Sequence, residues 1–177
     1  MRFDVTTWSL EMTDRAQLCP APEPDLEVDL VQARNPSPEL GRFLYSAVGG
    51  SWYWIDRLAW TEEQWAERLA AVETWVAHLD GRPAGYYELD PTVAGAVEIA
   101  YFGLLPAFIG RGLGGWLLSR AIERAWQLAP RRVWVHTCTL DAPSALRNYQ
   151  ARGMRIFKEE TVIQELPDWP PGGGLDA

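Results

Sequence analysis

The chain has 177 residues, 47% of them hydrophobic and 23% charged, the length and balance of one globular domain rather than a disordered or low-complexity tract. A formal net charge of −8 excludes a general nucleic-acid binder, which needs a basic face to neutralise phosphates. Two distant cysteines, Cys19 and Cys138, exclude a disulfide scaffold and a four-ligand zinc site and fit a reducing cytoplasm, and no apolar run reaches the 18 residues of a membrane span.

In chain order, Val5 to Met12 reads as a strand, followed by the proline-rich connector Cys19-Pro20-Ala21-Pro22-Glu23-Pro24. Leu26 to Ala33 alternates apolar and acidic residues, the pattern of a half-buried strand. Ser37-Pro38 is an N-cap and first-turn pair that opens a short helix over Leu40–Val48, closed by Gly49-Gly50. Thr61 with Gln64 forms a capping box flanked by the staple pair Trp60 and Trp65, so a second helix of about ten residues begins at Glu62. Glu73–Leu79 and Ala84–Leu89 form a hairpin around Asp80-Gly81, and Ala96–Leu105 is a third strand. Leu113–Leu128 has helical spacing, Arg132–Leu140 is a strand, and Asp141 is read as the cap of a helix over Ala142–Arg152 that Gly153 ends. Met154–Leu166 makes one or two strands. A helix between the strands Ala96–Leu105 and Arg132–Leu140 implies a right-handed parallel crossover, so the class is mixed α/β.

The most informative segment is Ile109-Gly110-Arg111-Gly112-Leu113-Gly114-Gly115, where a strand hands over to a helix. Glycines there let the backbone turn its amides outward, and the helix N-terminus adds partial positive charge, a combination suited to a pyrophosphate. Gly110, Gly112 and Gly115 also match a dinucleotide fingerprint, but only 62 residues follow Gly115, too few for the remaining strands of that fold and a substrate domain. Further on stands Tyr149-Gln150-Ala151-Arg152-Gly153-Met154 at a helix end. With these two motifs, in this element order, the chain resembles the GNAT superfamily of acyl-CoA-dependent N-acyltransferases. The family's Gln/Arg-x-x-Gly-x-Gly/Ala loop is matched in its glycines but has Ile109 in first place, and its Tyr-x-x-x-Gly-Phe has Met154 at the end.

The resemblance implies a central, mostly antiparallel sheet with one splayed parallel strand pair and helices on both faces. It spans residues 26–166, with an N-terminal strand and proline-rich connector before it (1–25) and a flexible tail after it (167–177). It implies acetyl-CoA as co-substrate and no metal. Pantetheine would lie along the backbone of Phe102, Gly103 and Leu104. The pyrophosphate would sit on the amides of Ile109, Gly110, Arg111, Gly112, Leu113 and Gly114, with Ser144 a further coenzyme contact.

For chemistry, Tyr149 is the candidate general acid: a phenol with a pKa near 10 is matched to a departing thiolate. Glu98 is the candidate base, provided burial raises a carboxylate that is otherwise feeble. His136, on one strand face with Trp134 and Cys138, reads as a hydrogen-bonded structural histidine, as does His78, and Cys138 reads as packing. Trp52, Tyr53 and Trp54, with Tyr86 on the hairpin, are candidates to receive a cationic amine by cation–π contact with Asp56 as counter-charge, while the same loop tryptophans read equally well as a cluster pinning the loop. The charge split of −9 over residues 1–90 and +1 over 91–177 fits a cationic partner for the first part. The expected activity is acetyl transfer to a primary amine of a small molecule or a protein, in the cytoplasm, without nucleic-acid or membrane partners. The alternative is a module that holds acyl-CoA without turnover.

Overall fold

The computed structural model describes residues 1–168 and 170. Trp169 and residues 171–177, most of the expected tail, lie outside the described residues. Seven strands form one sheet in the order β2-β3-β4-β5-β6-β1-β7. They are β1 (Arg2–Met12), β2 (Val28–Ala33), β3 (Glu73–Leu79), β4 (Arg82–Asp90), β5 (Ala96–Leu104), β6 (Arg132–Cys138) and β7 (Arg155–Glu165). All neighbours are antiparallel except β5 and β6. Helices α1 (Pro38–Gly49) and α2 (Glu62–Ala71) cover one face; α3 (Leu113–Gln127) and α4 (Ala145–Ala151) cover the other.

Local chemistry sets most element boundaries. The Leu40 amide donates to Ser37 Oγ at 3.2 Å to open α1. At α2 the Gln64 amide donates to Thr61 Oγ1 (3.3 Å) and the Thr61 amide to Gln64 Oε1 (2.9 Å), a reciprocal cap. The Trp60 and Trp65 rings meet 5.2 Å apart beside it. Asp80 and Gly81 both take positive φ (53° and 74°), the two left-handed residues of a tight hairpin turn. The main core lies between the sheet and α3, where Leu117, Leu118, Ile122, Leu10, Met12 and Val133 are almost wholly excluded from solvent. Each such side chain contributes roughly 1.5–3 kcal/mol by leaving water.

Three features depart from a local reading of the chain. First, β1 lies inside the sheet, flanked by β6 and β7, and Met154–Leu166 supplies a single strand that pairs with β1 over nearly its whole length. Second, α4 starts only at Ala145. The Asp141 carboxylate faces backwards, accepting from the Thr137 hydroxyl at 2.6 Å and the Cys138 amide at 3.1 Å, so it closes β6 instead of capping a helix at Ala142. Third, β5 is bulged: Glu88 pairs with Tyr101 and Leu89 with Ile99, leaving Ala100 without a partner. The extra residue puts Glu98 and Tyr101 on the α1 side, and Ile99 and Phe102 on the α3 side.

The connection from α1 to α2 is anchored by a buried ion pair. Arg57 and Glu88 are 5% and 2% exposed and meet through two parallel hydrogen bonds of 2.7 and 2.8 Å. The guanidinium lies over the rings of Tyr101 (4.3 Å), Trp60 (4.7 Å) and Trp65 (5.6 Å). Arg68 bridges Glu88 to Asp90 from the other side. Desolvation opposes the Arg57 charge, but the bonds to Glu88 outweigh it and hold the guanidinium protonated more firmly than usual. Arg57→Ala leaves Glu88 buried with only Arg68, so we expect a loss of about 3–5 kcal/mol in urea unfolding, far above the change for an exposed arginine such as Arg155→Ala.

Candidate active site

The parallel strands pair only at Ala96/Arg132, Val97/Val133 and Glu98/Trp134. Beyond Glu98 they diverge: β5 continues to Leu104 bonded to β4 alone, and β6 continues to Cys138 bonded to β1. The edge of β5 turned away from β4 therefore carries backbone groups with no strand partner. A cavity of about 350 Å³ occupies this wedge.

One end of the cavity is built by β5, α4 and the start of α3. Phe102, Gly103, Leu104, Ile109, Gly114 and Ser144 line it. Gly110 and Gly112 have φ of 84° and 76°, conformations that side chains with Cβ atoms resist, and Gly112 occupies the N-cap of α3 with no side chain capping the helix. The amides of Leu113, Gly114 and Gly115 thus precede the first bond within α3. The Ile109 amide is not part of that set, because it donates to the Pro106 carbonyl at 3.3 Å. Gly110, Arg111 and Gly112 are exposed on the rim rather than in the wall, with the Arg111 guanidinium 5.3 Å from the Phe108 ring. The Leu113 side chain is core, packed with Leu79, Ala84 and Phe108, so only its backbone can serve a ligand. Asn148, which no spacing in the sequence marks, lines the cavity and donates to the Gly114 carbonyl at 3.2 Å, tying α4 to this loop. Among the described residues no Lys or Arg lines the cavity, and its carboxylates are Asp56 and Asp141.

Tyr149 projects from α4 into the wall, 6% exposed and edge-on to Phe102 at 6.2 Å. Burial, with the nearby charge of Asp141, pushes its phenol well above the ordinary value. Its hydroxyl has no hydrogen-bond partner among the described residues.

Across the wedge stands His136. Its Nδ1 lies 3.2 Å from Glu98 Oε1. His136 lines the cavity, whereas Glu98, the expected base, sits behind it and does not. The bond to Glu98 raises the His136 pKa above 6.5 against the opposing effect of desolvation, and the charges of Asp141 and Asp56 add to the rise. With Nδ1–H directed to the carboxylate, Nε2 is the basic nitrogen. Glu98 faces Trp134 across the parallel pair, and His136 follows two residues later on the same face. That period of two, once the pairing is granted, is the sequence signal that joins the two residues.

The opposite wall comes from residues 50–56. Trp52, Tyr53, Trp54 and Asp56 all line the cavity. Trp54 is a structural pin: its ring lies 4.7 Å from Tyr101 and 5.5 Å from Tyr45, and its indole N–H reaches Asp141 Oδ1 at 3.4 Å across the gap. Gly49 passes directly against that indole, leaving no room for a side chain. Tyr86, expected on this wall, is instead a core residue beneath Trp54, 3% exposed and absent from the cavity. The N-terminal strand contributes Val5 and Thr7 to the same wall.

The chain matches the family model of the Acetyltransferase (GNAT) family over residues 30–154. It belongs to this family. Among solved structures it is similar to a GCN5-related N-acetyltransferase from Kribbella flavida (20% identity, TM-score 0.64, covering 98% of this chain and 62% of that one). It is similar also to a GCN5-related N-acetyltransferase from Sphaerobacter thermophilus (21% identity, TM-score 0.63, 90% and 50%). An IAA acetyltransferase from Bacillus cereus shares 26% identity with a TM-score of 0.56 over 75% of this chain and 79% of that one. The chain thus spans between half and two thirds of the length of the first two. No curated protein matches it. Among the described residues no helix is long and apolar enough to cross a membrane, and no cluster of three metal-ligating side chains occurs.

His136 supplies a direct check on this geometry. Because its folded pKa is raised, the bond to Glu98 contributes stability that is full below about pH 6.5 and is lost as pH rises through the elevated value. Titration by NMR should place the His136 midpoint above 6.5, and Glu98→Gln should lower it.

Proposed function

We propose that this GNAT-family chain is an N-acetyltransferase that moves an acetyl group from acetyl-CoA to a primary amine by direct attack within a ternary complex. The observation that carries the reading is the wedge between β5 and β6, with a phenol on one wall and a carboxylate-backed imidazole on the other. The cavity residues fit the coenzyme: an unpaired strand edge over Ile99–Leu104 suits the pantetheine amides, and the unbonded amides at the start of α3 suit a diphosphate. The coenzyme supplies the thioester that the amine attacks.

The chain's own residues handle the protons. A lysine-like amine with a pKa near 10.4 is about 3.4 units from neutrality at pH 7, roughly 4.6 kcal/mol. Removing that proton is assigned to His136 Nε2, with Glu98 orienting the ring and stabilising the imidazolium that forms. On the other wall, Tyr149 is protonated throughout the working pH range, since burial raises its pKa. A phenol so raised is a weak acid toward a solvated thiolate. Inside the same dry wall the sulfur's proton affinity rises with it, which restores the match. Asn148 keeps Tyr149 in register with the glycine loop by fixing α4 to Gly114.

Acetyl-CoA turnover, followed as thiol release with a panel of amines, tests the reading. Tyr149→Phe should lower kcat by about 10²–10⁴-fold while the Kd for the coenzyme, measured by calorimetry, stays within about two- to three-fold. His136→Gln should lower kcat and remove the acidic limb of its pH profile. Coenzyme binding without thiol release for any amine would favour a non-catalytic acyl-CoA-binding module instead.

A further inference from the structure

The wall formed by residues 50–57 uses its aromatic residues unequally. Tyr45, Trp60, Trp65 and Tyr101 surround the buried Arg57 guanidinium, and Trp54 is packed among them. These rings are already engaged by an internal cation or by one another. Trp52 is different. It lines the cavity, half-buried, and among the described residues its ring has neither an aromatic nor a cationic partner. Beside it Tyr53 takes φ 57°, a left-handed conformation unfavourable for a bulky residue, with its ring 6.0 Å from Phe3.

The charges are equally selective. Of the carboxylates lining the cavity, Asp141 has both oxygens occupied by Thr137, Cys138 and Trp54. Asp56 is exposed and has no ion pair or hydrogen bond among the described residues. The cavity that Asp56 and Trp52 line also carries the apolar side chains of Val5, Val48, Ile55 and Leu166, with Thr7, His136 and Gln164 among its polar ones. One open carboxylate and one vacant indole face in the same cavity satisfy one ammonium, and the apolar part of the lining suits an apolar body that carries it. A second or third ammonium, as on a polyamine, would be buried without a counter-charge.

We infer that the acceptor is a small primary monoamine on an apolar, preferably aromatic, body, received by Asp56 and the Trp52 face. The inference rests on the acetyl-transfer reading above. Trp52 and Tyr53 then sort acceptors by their bodies, Asp56 by their charge, and His136 takes the proton.

The test uses the purified full chain with acetyl-CoA and four acceptors: 2-phenylethylamine, tryptamine, spermidine and a short unblocked peptide. The two apolar monoamines should show kcat/KM at least about ten-fold above spermidine and the peptide, the scale of one partly desolvated cation–π or ion-pair contact. Asp56→Asn should raise their KM by about ten-fold with kcat nearly unchanged, and Trp52→Ala should erase the preference for the aromatic bodies. Asp56 is exposed, so its variant should keep the wild-type melting temperature and coenzyme Kd. Turnover that favours spermidine or the peptide, or an Asp56→Asn enzyme with unaltered KM, overturns the acceptor class and leaves acetyl transfer standing. Absence of both coenzyme binding and turnover overturns the two together.

Discussion

The contact on which the rest depends is the buried pairing of Arg57 with Glu88 inside a box of aromatic rings. Neither charge is tolerable alone at that depth, so each fixes the other. Glu88 belongs to β4 and is immobile within the sheet. Arg57 belongs to an otherwise irregular connection, which is thereby held against the sheet. Tyr45 strengthens the hold by accepting the Arg57 amide at its hydroxyl (3.2 Å). The cavity wall is therefore tied to the sheet at Arg57, although it is loop in secondary structure. Tyr101 takes part only because the bulge at Ala100 turns it toward α1, so one unpaired residue in β5 serves the aromatic box.

The divergence of β5 and β6 has a matching logic. Three pairs hold the strands together at one end. Past them, His136 and Cys138 on one side and the Ile99–Leu104 edge on the other face a common space. Trp54 spans it by reaching Asp141, and Asn148 ties its floor to Gly114. Catalytic candidates on separate elements are thus positioned by contacts that do no chemistry themselves. The Glu98 and His136 pair shows the same division: the carboxylate lies behind the ring and outside the cavity lining, and the imidazole faces the cavity.

Much of the fold was legible because its signals are local. Ser37-Pro38, the Thr61/Gln64 box and Asp80-Gly81 each act within four residues, and each appears where the chain placed it. The glycine loop and the Tyr149 motif were likewise readable as short patterns. What escaped involves partners distant in sequence or in competition. Asp141 was positioned to cap a helix, but a hydroxyl and an amide behind it were nearer. Tyr86 looked available until Trp54 closed over it. His136 reads as hydrogen-bonded, and it is, but its partner Glu98 lies on another strand, which no local pattern names. The bulge at Ala100 leaves no mark in an apolar run that alternates imperfectly in any case.

The position of β1 carries a consequence for how the molecule assembles. Its partners, β6 and β7, begin at residues 132 and 155, and Arg2 faces Glu165. This strand is therefore synthesised before its partners, yet its place in the sheet comes into being only when β6 and β7 emerge. Until then its apolar positions, Val5, Leu10 and Met12, have nowhere to go, and closing so long a loop carries the entropic cost typical of slow, non-local pairing. The same late pairing brings Val5 and Thr7 to the cavity wall, so the cavity reaches its final shape only as β1 meets β6 and β7.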